Sequence, residues 1–193
     1  MKTIIITGVS EGLGYNLAKL CVENNYKVIG ISRNKPENLN INHISGDLTK
    51  AEDIERIAQE ITKNHKTFDH IVNCAGELNI ENLDNISPEK LDHLLALNVQ
   101  APILLISKLL NLIKQNETDI INIGSTVGYK AYEQQIAYGA SKWAMRGLTE
   151  NLRVELKGTK SRVILFNPGG FKSKIFQKAS GHEIDLSPFM EPS

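Results

Sequence analysis

The chain has 193 residues, a length suited to one domain that buries roughly 70% of the surface its unfolded form would expose. Lys+Arg and Asp+Glu each number 22, so the positive balance of a nucleic-acid binder is missing. Cys21 and Cys74 lie outside any CxxC spacing, which excludes a disulfide scaffold or a cysteine-type zinc site and suits a reducing cytosol.

Thr3 to Thr7 is a β-branched run followed by Gly8, the pattern of a parallel strand buried on both faces. The opening MKTIIITGVS is too short an apolar run for a signal-peptide core. Leu13, Leu17, Leu20 and Cys21 then share one face of a helix. A second strand is expected over 27–32 and a shorter third over 42–47. A helix from about Lys50 to Lys63 carries Ile54, Ile57, Ala58 and Ile61 on one side, and a fourth strand covers 68–73. Ser87-Pro88-Glu89 reads as a helix start, with the cap residue followed by proline at the first helical position. That helix runs to about Lys114 with one break near Asn98–Pro102. Its most apolar part, Ala101 to Ile113, is interrupted by Ser107, Lys108 and Asn111 and falls short of the ~18 apolar residues of a membrane span. A fifth strand over 119–124, a long helix over about 135–157 and a sixth strand over 162–166 follow. Strands alternating with helices predict βαβ units: an α/β, doubly wound parallel sheet in one domain over 1–193. A soluble cytoplasmic protein with no membrane or nucleic-acid partner is expected.

The chemistry concentrates at two places. The first strand ends in Thr7-Gly8-Val9-Ser10-Glu11-Gly12-Leu13-Gly14. Strand, glycine turn and helix N-terminus together suit a dinucleotide pyrophosphate, because backbone N–H groups and the helix dipole both favour an anion. Gly8 makes the turn, Gly12 admits close approach and Gly14 lets the helix pack near the sheet, by analogy with the related glycine fingerprint. The alternative is a purely structural turn. The second place is Tyr138 and Lys142, at i and i+4 on one helix face, with Ser125 thirteen residues upstream at a strand end. An ammonium beside a phenol favours the phenolate and brings it toward acid–base work near neutral pH. Alone, such a pair is a solvated lysine beside a half-buried tyrosine. The five histidines share no ligand spacing, so no metal site is expected.

Taken together, the glycine segment, Asn73-Cys74-Ala75-Gly76, Asn98, Ser125, Tyr138xxxLys142 and Asn167-Pro168-Gly169 resemble the short-chain dehydrogenase/reductase family, in order and spacing, from residue 2 to about 175. The resemblance implies a Rossmann-type fold and hydride exchange between a nicotinamide cofactor and a small carbonyl or alcohol. It implies that Tyr138 is the general acid or base, that Lys142 lowers its pKa and holds the nicotinamide ribose, that Ser125 orients the substrate oxygen, and that Asn98 helps hold a water linking Lys142 to solvent. The implied cofactor contacts are Gly8, Ser10, Glu11, Gly12, Leu13 and Gly14 in the loop, Asp47 and Leu48 by the adenine, and Asn73, Ala75 and Gly76 along the cofactor. Tyr138 and Lys142 join them, with Pro168, Gly169 and the hydroxyl of Ser173 at the carboxamide. Gly124 stands where the family frequently has a second serine, and Ser173 where it commonly has threonine.

An NAD enzyme usually ends its second strand on an acidic residue that accepts from the ribose hydroxyls. Here Ser32-Arg33-Asn34 has none, and Arg33 suits a 2′-phosphate, so NADP is favoured over NAD. Glu11 counts against this, since inward it would repel a phosphate, and a plain surface arginine is the other reading of Arg33. The segments 77–83 and 128–134 and the tail are expected to line the substrate pocket. A homo-oligomer is implied, with Trp143, Met145 and Leu148 candidates for the shared face. The family's seventh strand does not follow before residue 193, which would leave the sixth strand at the sheet edge, needing cover from the tail or a partner chain. Beside the oxidoreductase stands a second possibility, a weakly active or inactive nucleotide-binding sensor or subunit of the same fold.

Overall fold

The computed structural model describes residues 1–171, 175, 178 and 179. Among these, six parallel strands form one sheet, as the sequence pattern predicts, and their order is β3-β2-β1-β4-β5-β6. The strands are β1 (Thr3–Thr7), β2 (Lys27–Ser32), β3 (Asn42–Ser45), β4 (His70–Asn73), β5 (Asp119–Ile123) and β6 (Arg162–Phe166). The third and fourth strands are shorter than the expected spans 42–47 and 68–73. Asp47 leaves the ladder to cap Thr49, and Phe68 enters the core ahead of β4.

The helices are α1 (Gly12–Glu23), α2 (Ala51–Asn64), α3 (Pro88–Leu95), α4 (Ala101–Gln115) and α5 (Ile136–Glu155). They pack on both faces of the sheet. Ile4, Ile6 and Val28 meet Ala18 and Cys21 of α1 on one side. Ile5, Ile29, Ile71 and Ile120 meet α2, α4 and the end of α5 on the other. Alternate residues of β1 therefore enter opposite cores, which is why the whole run is apolar. Gly30 interrupts β2 because Val9 and Ile41 occupy the place of its side chain: a Cβ there would lie 2.6 Å from Ile41 Cδ1. β6 forms the sheet margin among the described residues, with Ile164 and Phe166 exposed.

The expected break near Asn98–Pro102 is a π-helical turn, Ala96–Gln100, that joins α3 to α4 without interruption. Pro102 has no N–H to offer the carbonyl of Asn98, and the Asn98 side chain is engaged elsewhere, so a wider turn is tolerated. By length and composition Pro88–Gln115 is apolar enough to cross a membrane, which corrects the sequence expectation. In this fold Leu94, Leu105, Leu109 and Ile113 of that stretch are fully buried in the protein.

A chain of side-chain amides fixes α5 to the sheet. Asn73 Nδ2 donates to Asn122 Oδ1 at 2.8 Å, Asn122 Nδ2 donates to Thr149 Oγ1 at 2.9 Å, and the Thr149 hydroxyl donates to the Met145 carbonyl at 2.8 Å. Asn122 and Thr149 are fully buried, so a broken link leaves a polar group without water. Thr149→Val keeps the shape and removes the acceptor from Asn122. We expect it to lower stability by ~1–3 kcal/mol, the cost of a buried unsatisfied donor, measured as a shift of the urea midpoint at constant slope.

Candidate active site

The glycine loop leaves the carboxyl end of β1 and folds against the turn after β4. Thr7 Oγ1 accepts from the N–H groups of Cys74 at 3.0 Å and Ala75 at 2.9 Å, stitching the two turns together. Gly8 has φ +77°, and a Cβ on it would sit 2.8 Å from Ala75 Cα. A Cβ on Gly14 would lie 2.3 Å from the Gly8 carbonyl oxygen. Gly12, at φ +64°, has nothing within 4 Å of its missing side chain, so the space above it is open. Helix α1 begins there with no side-chain cap and no acidic residue in its first turn, leaving its terminal N–H groups for an anion. The loop thus meets the steric demands of a phosphate cradle.

The cradle forms one wall of a cleft of about 600 Å³ at the carboxyl end of the sheet, a size suited to a large ligand. Gly8, Ser10, Glu11, Gly12, Leu13, Gly14, Arg33, Asp47, Leu48, Ala75, Gly76, Ser125, Tyr138, Lys142, Pro168 and Gly169 all line it. Most of the expected positions, far apart in sequence, therefore converge. Two do not reach the surface of the cleft. Asn73 lies beneath its floor, tied to Asn122. Asn98 is buried in the π turn, where Oδ1 accepts from Glu77 N at 2.9 Å and Nδ2 donates to the Glu77 carbonyl at 2.9 Å and to Ser141 Oγ at 3.1 Å. Its side chain braces the wall, with both Nδ2 hydrogens used and one acceptor position of Oδ1 remaining. Ser173 lies outside the described residues.

Tyr138 and Lys142 stand one turn apart on α5, facing Ser125 at the end of β5. The Ser125 hydroxyl lies near enough to the Tyr138 phenol to favour its phenolate, and Ser125 Oγ accepts from Val127 N at 3.3 Å. Lys142 is only 8% exposed; Nζ donates to the Ile123 carbonyl at 3.0 Å and lies 5.6 Å from the centre of the Tyr138 ring. Burial pushes the Lys142 ammonium down to about 8, against a raising influence from Cys74. Burial also pushes the Tyr138 phenol up, and the Ser125 hydroxyl opposes it. This direction is opposite to the one expected from the tyrosine–lysine spacing. Spacing predicts proximity, but here the desolvation of the phenol outweighs an ammonium directed at a carbonyl.

At the other end of the cleft, Arg33 is exposed just beyond β2. Burial works to raise the Asp47 carboxyl, but hydrogen bonds from the Thr49 N–H and hydroxyl, with the charges of Arg33 and Lys50, hold it below its ordinary range. The sequence reading singled out none of three lining residues with ionisable side chains, Glu77, His93 and Lys178, although Glu77 and Lys178 fall in segments expected to line the pocket. Glu77 follows Gly76 directly; burial raises its carboxyl, and His93, 3.4 Å away, and Arg33 oppose the rise. Lys178 of the tail pairs with Glu11, so the one acidic side chain in the glycine loop faces a cation. No sequence spacing signals a pair separated by 167 positions. Of the segments expected to line a substrate pocket, Glu77, Leu78 and Tyr132 do line the cleft.

The sequence profile of the short chain dehydrogenase family matches residues 2–184. Carbonyl reductase family member 4 of Xenopus laevis is 32% identical over 203 residues, covering 99% of this chain and 86% of that protein. An uncharacterised oxidoreductase of Saccharomyces cerevisiae is 29% identical, over 99% of this chain and 67% of its own. Among solved structures, a short chain dehydrogenase of Shigella flexneri in complex with NADP superposes with a TM-score of 0.89 at 25% identity, covering 99% of this chain and 86% of that one. A 4-hydroxyisoleucine dehydrogenase in complex with NADH gives 0.87 at 25% identity, covering 100% and 86%.

The buried ammonium has a consequence for stability. From an ordinary value of 10.5, Lys142 falls to about 8 in the folded chain, so between those values the unfolded state binds the extra proton. Stability should rise with pH across that window as the desolvated charge is discharged. In Lys142→Met this increment should vanish, leaving a pH-independent offset from the lost bond to Ile123. Urea unfolding of both proteins at pH 7 and pH 9.5 checks it: parallel changes in the two would show that Lys142 carries no such cost.

Proposed function

This chain belongs to the short-chain dehydrogenase family and is an oxidoreductase of it, and from that premise we propose that it interconverts a carbonyl and an alcohol on a small organic molecule with NADP(H). The reading is carried by one observation: Ser125, Tyr138 and Lys142 converge in the cleft that the glycine loop opens. The cofactor, when bound, supplies or accepts the hydride. The chain's own residues supply the proton and the orientation. The Ser125 hydroxyl, which lines the cleft beside Tyr138, is placed to donate to a substrate oxygen. Tyr138, kept protonated by burial, gives its proton to that oxygen in reduction and takes it back in oxidation. The Lys142 ammonium lies 5.6 Å from the phenol ring and favours the phenolate left behind.

The loop N–H groups, Gly12 and Gly14 suit the pyrophosphate, with Asp47 and Leu48 at the adenine end and Pro168 and Gly169 at the carboxamide. Arg33 supports NADP over NAD: it is exposed, beside the cleft, with no acidic residue at the end of β2. The pairing of Glu11 with Lys178 removes the main objection, an unpaired carboxylate beside the phosphates. Similar structures include an NADP complex and an NADH complex, so the preference rests on Arg33 itself.

Two measurements test the proposal. Tyr138→Phe should reduce turnover at least ~100-fold, the usual worth of general acid–base catalysis, while nicotinamide fluorescence shows cofactor affinity almost unchanged. A phenylalanine variant with near wild-type NADPH consumption on a carbonyl panel would remove Tyr138 from the mechanism. Binding of NADPH by the wild-type chain without turnover on a broad panel would instead favour a nucleotide-binding sensor. For the cofactor, Arg33→Ala should weaken NADPH by ~1.5–3 kcal/mol, the worth of a charge-assisted hydrogen bond, and leave NADH nearly untouched. Equal losses would mean that Arg33 does not read the 2′-phosphate.

A further inference from the structure

Asn167 follows β6, and the strand register brings it to the site. Ile123 pairs with Phe166 at the ends of β5 and β6, and Gly124 N donates to the Phe166 carbonyl at 2.8 Å. The next residue on each strand therefore lies alongside: Asn167 beside Gly124 and Ser125. Pro168 biases Asn167 toward extended backbone, which prolongs the direction of β6. The Asn167 side chain is spent on two bonds. Oδ1 accepts from Ser125 N at 3.1 Å, and Nδ2 donates to the Tyr129 hydroxyl at 2.6 Å. The Tyr129 ring is held in turn by the Arg146 guanidinium, 5.2 Å from its centre, a cation–π contact.

The same oxygen explains a glycine. A Cβ on Gly124 would lie 2.0 Å from Asn167 Oδ1 and 3.0 Å from its Cγ. Any side chain at position 124 must push Asn167 off both partners. We propose that Asn167 is the positioning residue for Ser125 and that Gly124 is glycine to make room for it. Ser125 sits where β5 turns into a short 3-10 segment; its hydroxyl accepts from Val127 N and lines the cleft with Tyr138. Its amide, clamped from the neighbouring strand, sets how far the hydroxyl reaches toward Tyr138. This assignment rests on the reaction proposed above, in which Ser125 orients the substrate oxygen.

The test uses the full chain and four proteins: wild type, Asn167→Leu, Asn167→Asp and Gly124→Ser. Aspartate keeps an acceptor for Ser125 N and for the Tyr129 hydroxyl, whereas leucine keeps the volume alone. Hydrogen exchange at the Ser125 amide, read by NMR, should be slow in wild type and Asn167→Asp and fast in Asn167→Leu and Gly124→Ser. On an active carbonyl substrate, kcat should fall ~10–100-fold in the last two, the scale expected of a small misplacement of a reacting group. NADPH affinity should stay at the wild-type value in all four. Unchanged Ser125 exchange in Asn167→Leu overturns the assignment, whether or not the protein turns over any carbonyl. Altered exchange with unchanged kcat also overturns it, because the clamp would then be structural only. A wild type inactive on every carbonyl overturns the proposed reaction, and with it the positioning role, even where the exchange pattern holds.

Discussion

Lys142 places a cation where almost no water reaches it, and the carboxyl end of the sheet is arranged around that fact. An ammonium in such surroundings loses much of its hydration free energy, and burial draws its pKa down to about 8. What offsets the cost is directional: the Ile123 carbonyl accepts from it at 3.0 Å, at the point where β5 has just ended. That contact requires α5 to lie at a fixed height over the sheet. The Asn73–Asn122–Thr149 chain supplies the height, because each amide spans from one strand to the next element and none can be relaxed without leaving a buried polar group unpaired. Tyr138, one turn earlier on the same helix, is positioned by the same docking.

Two clamps then act from opposite sides of α5. Asn98, held in the π turn, grips the backbone of Glu77 and touches Ser141, so the wall beyond Gly76 moves with the helix. Asn167 grips the amide of Ser125 from β6. The cleft is therefore framed by asparagine side chains, each using donor and acceptor to tie a stretch of backbone to a neighbouring side chain. The glycine-loop end is built differently, by the absence of side chains. The approach of Gly14 to the Gly8 carbonyl brings α1 close enough to the sheet that its unsatisfied N–H groups open into the cleft.

The fold is largely legible in the sequence. Apolar runs of strand length, alternating with helix-period segments, predict the parallel sheet, and all six strands appear at their expected places. The glycine spacing and the tyrosine–lysine spacing lead to one cleft. What spacing could not convey was depth. Asn73 and Asn98 belong to the motif yet lie under the surface, because a sequence pattern records that a residue is needed without saying which way it faces. The direction of the Tyr138 shift was missed for the same reason: desolvation depends on everything packed around the phenol.

Local pattern by itself determined the order of elements, the phosphate-cradle turn and the helix face bearing Tyr138 and Lys142, since these depend on residues within a few positions of one another. The tertiary structure decided the rest. It set Lys178 against Glu11 and Glu77 against His93, and it placed Asn167 in the space left by Gly124. These pairs are joined by strand register and helix docking across long stretches of chain. Charge and shape complementarity at such separations exists only once the chain has folded.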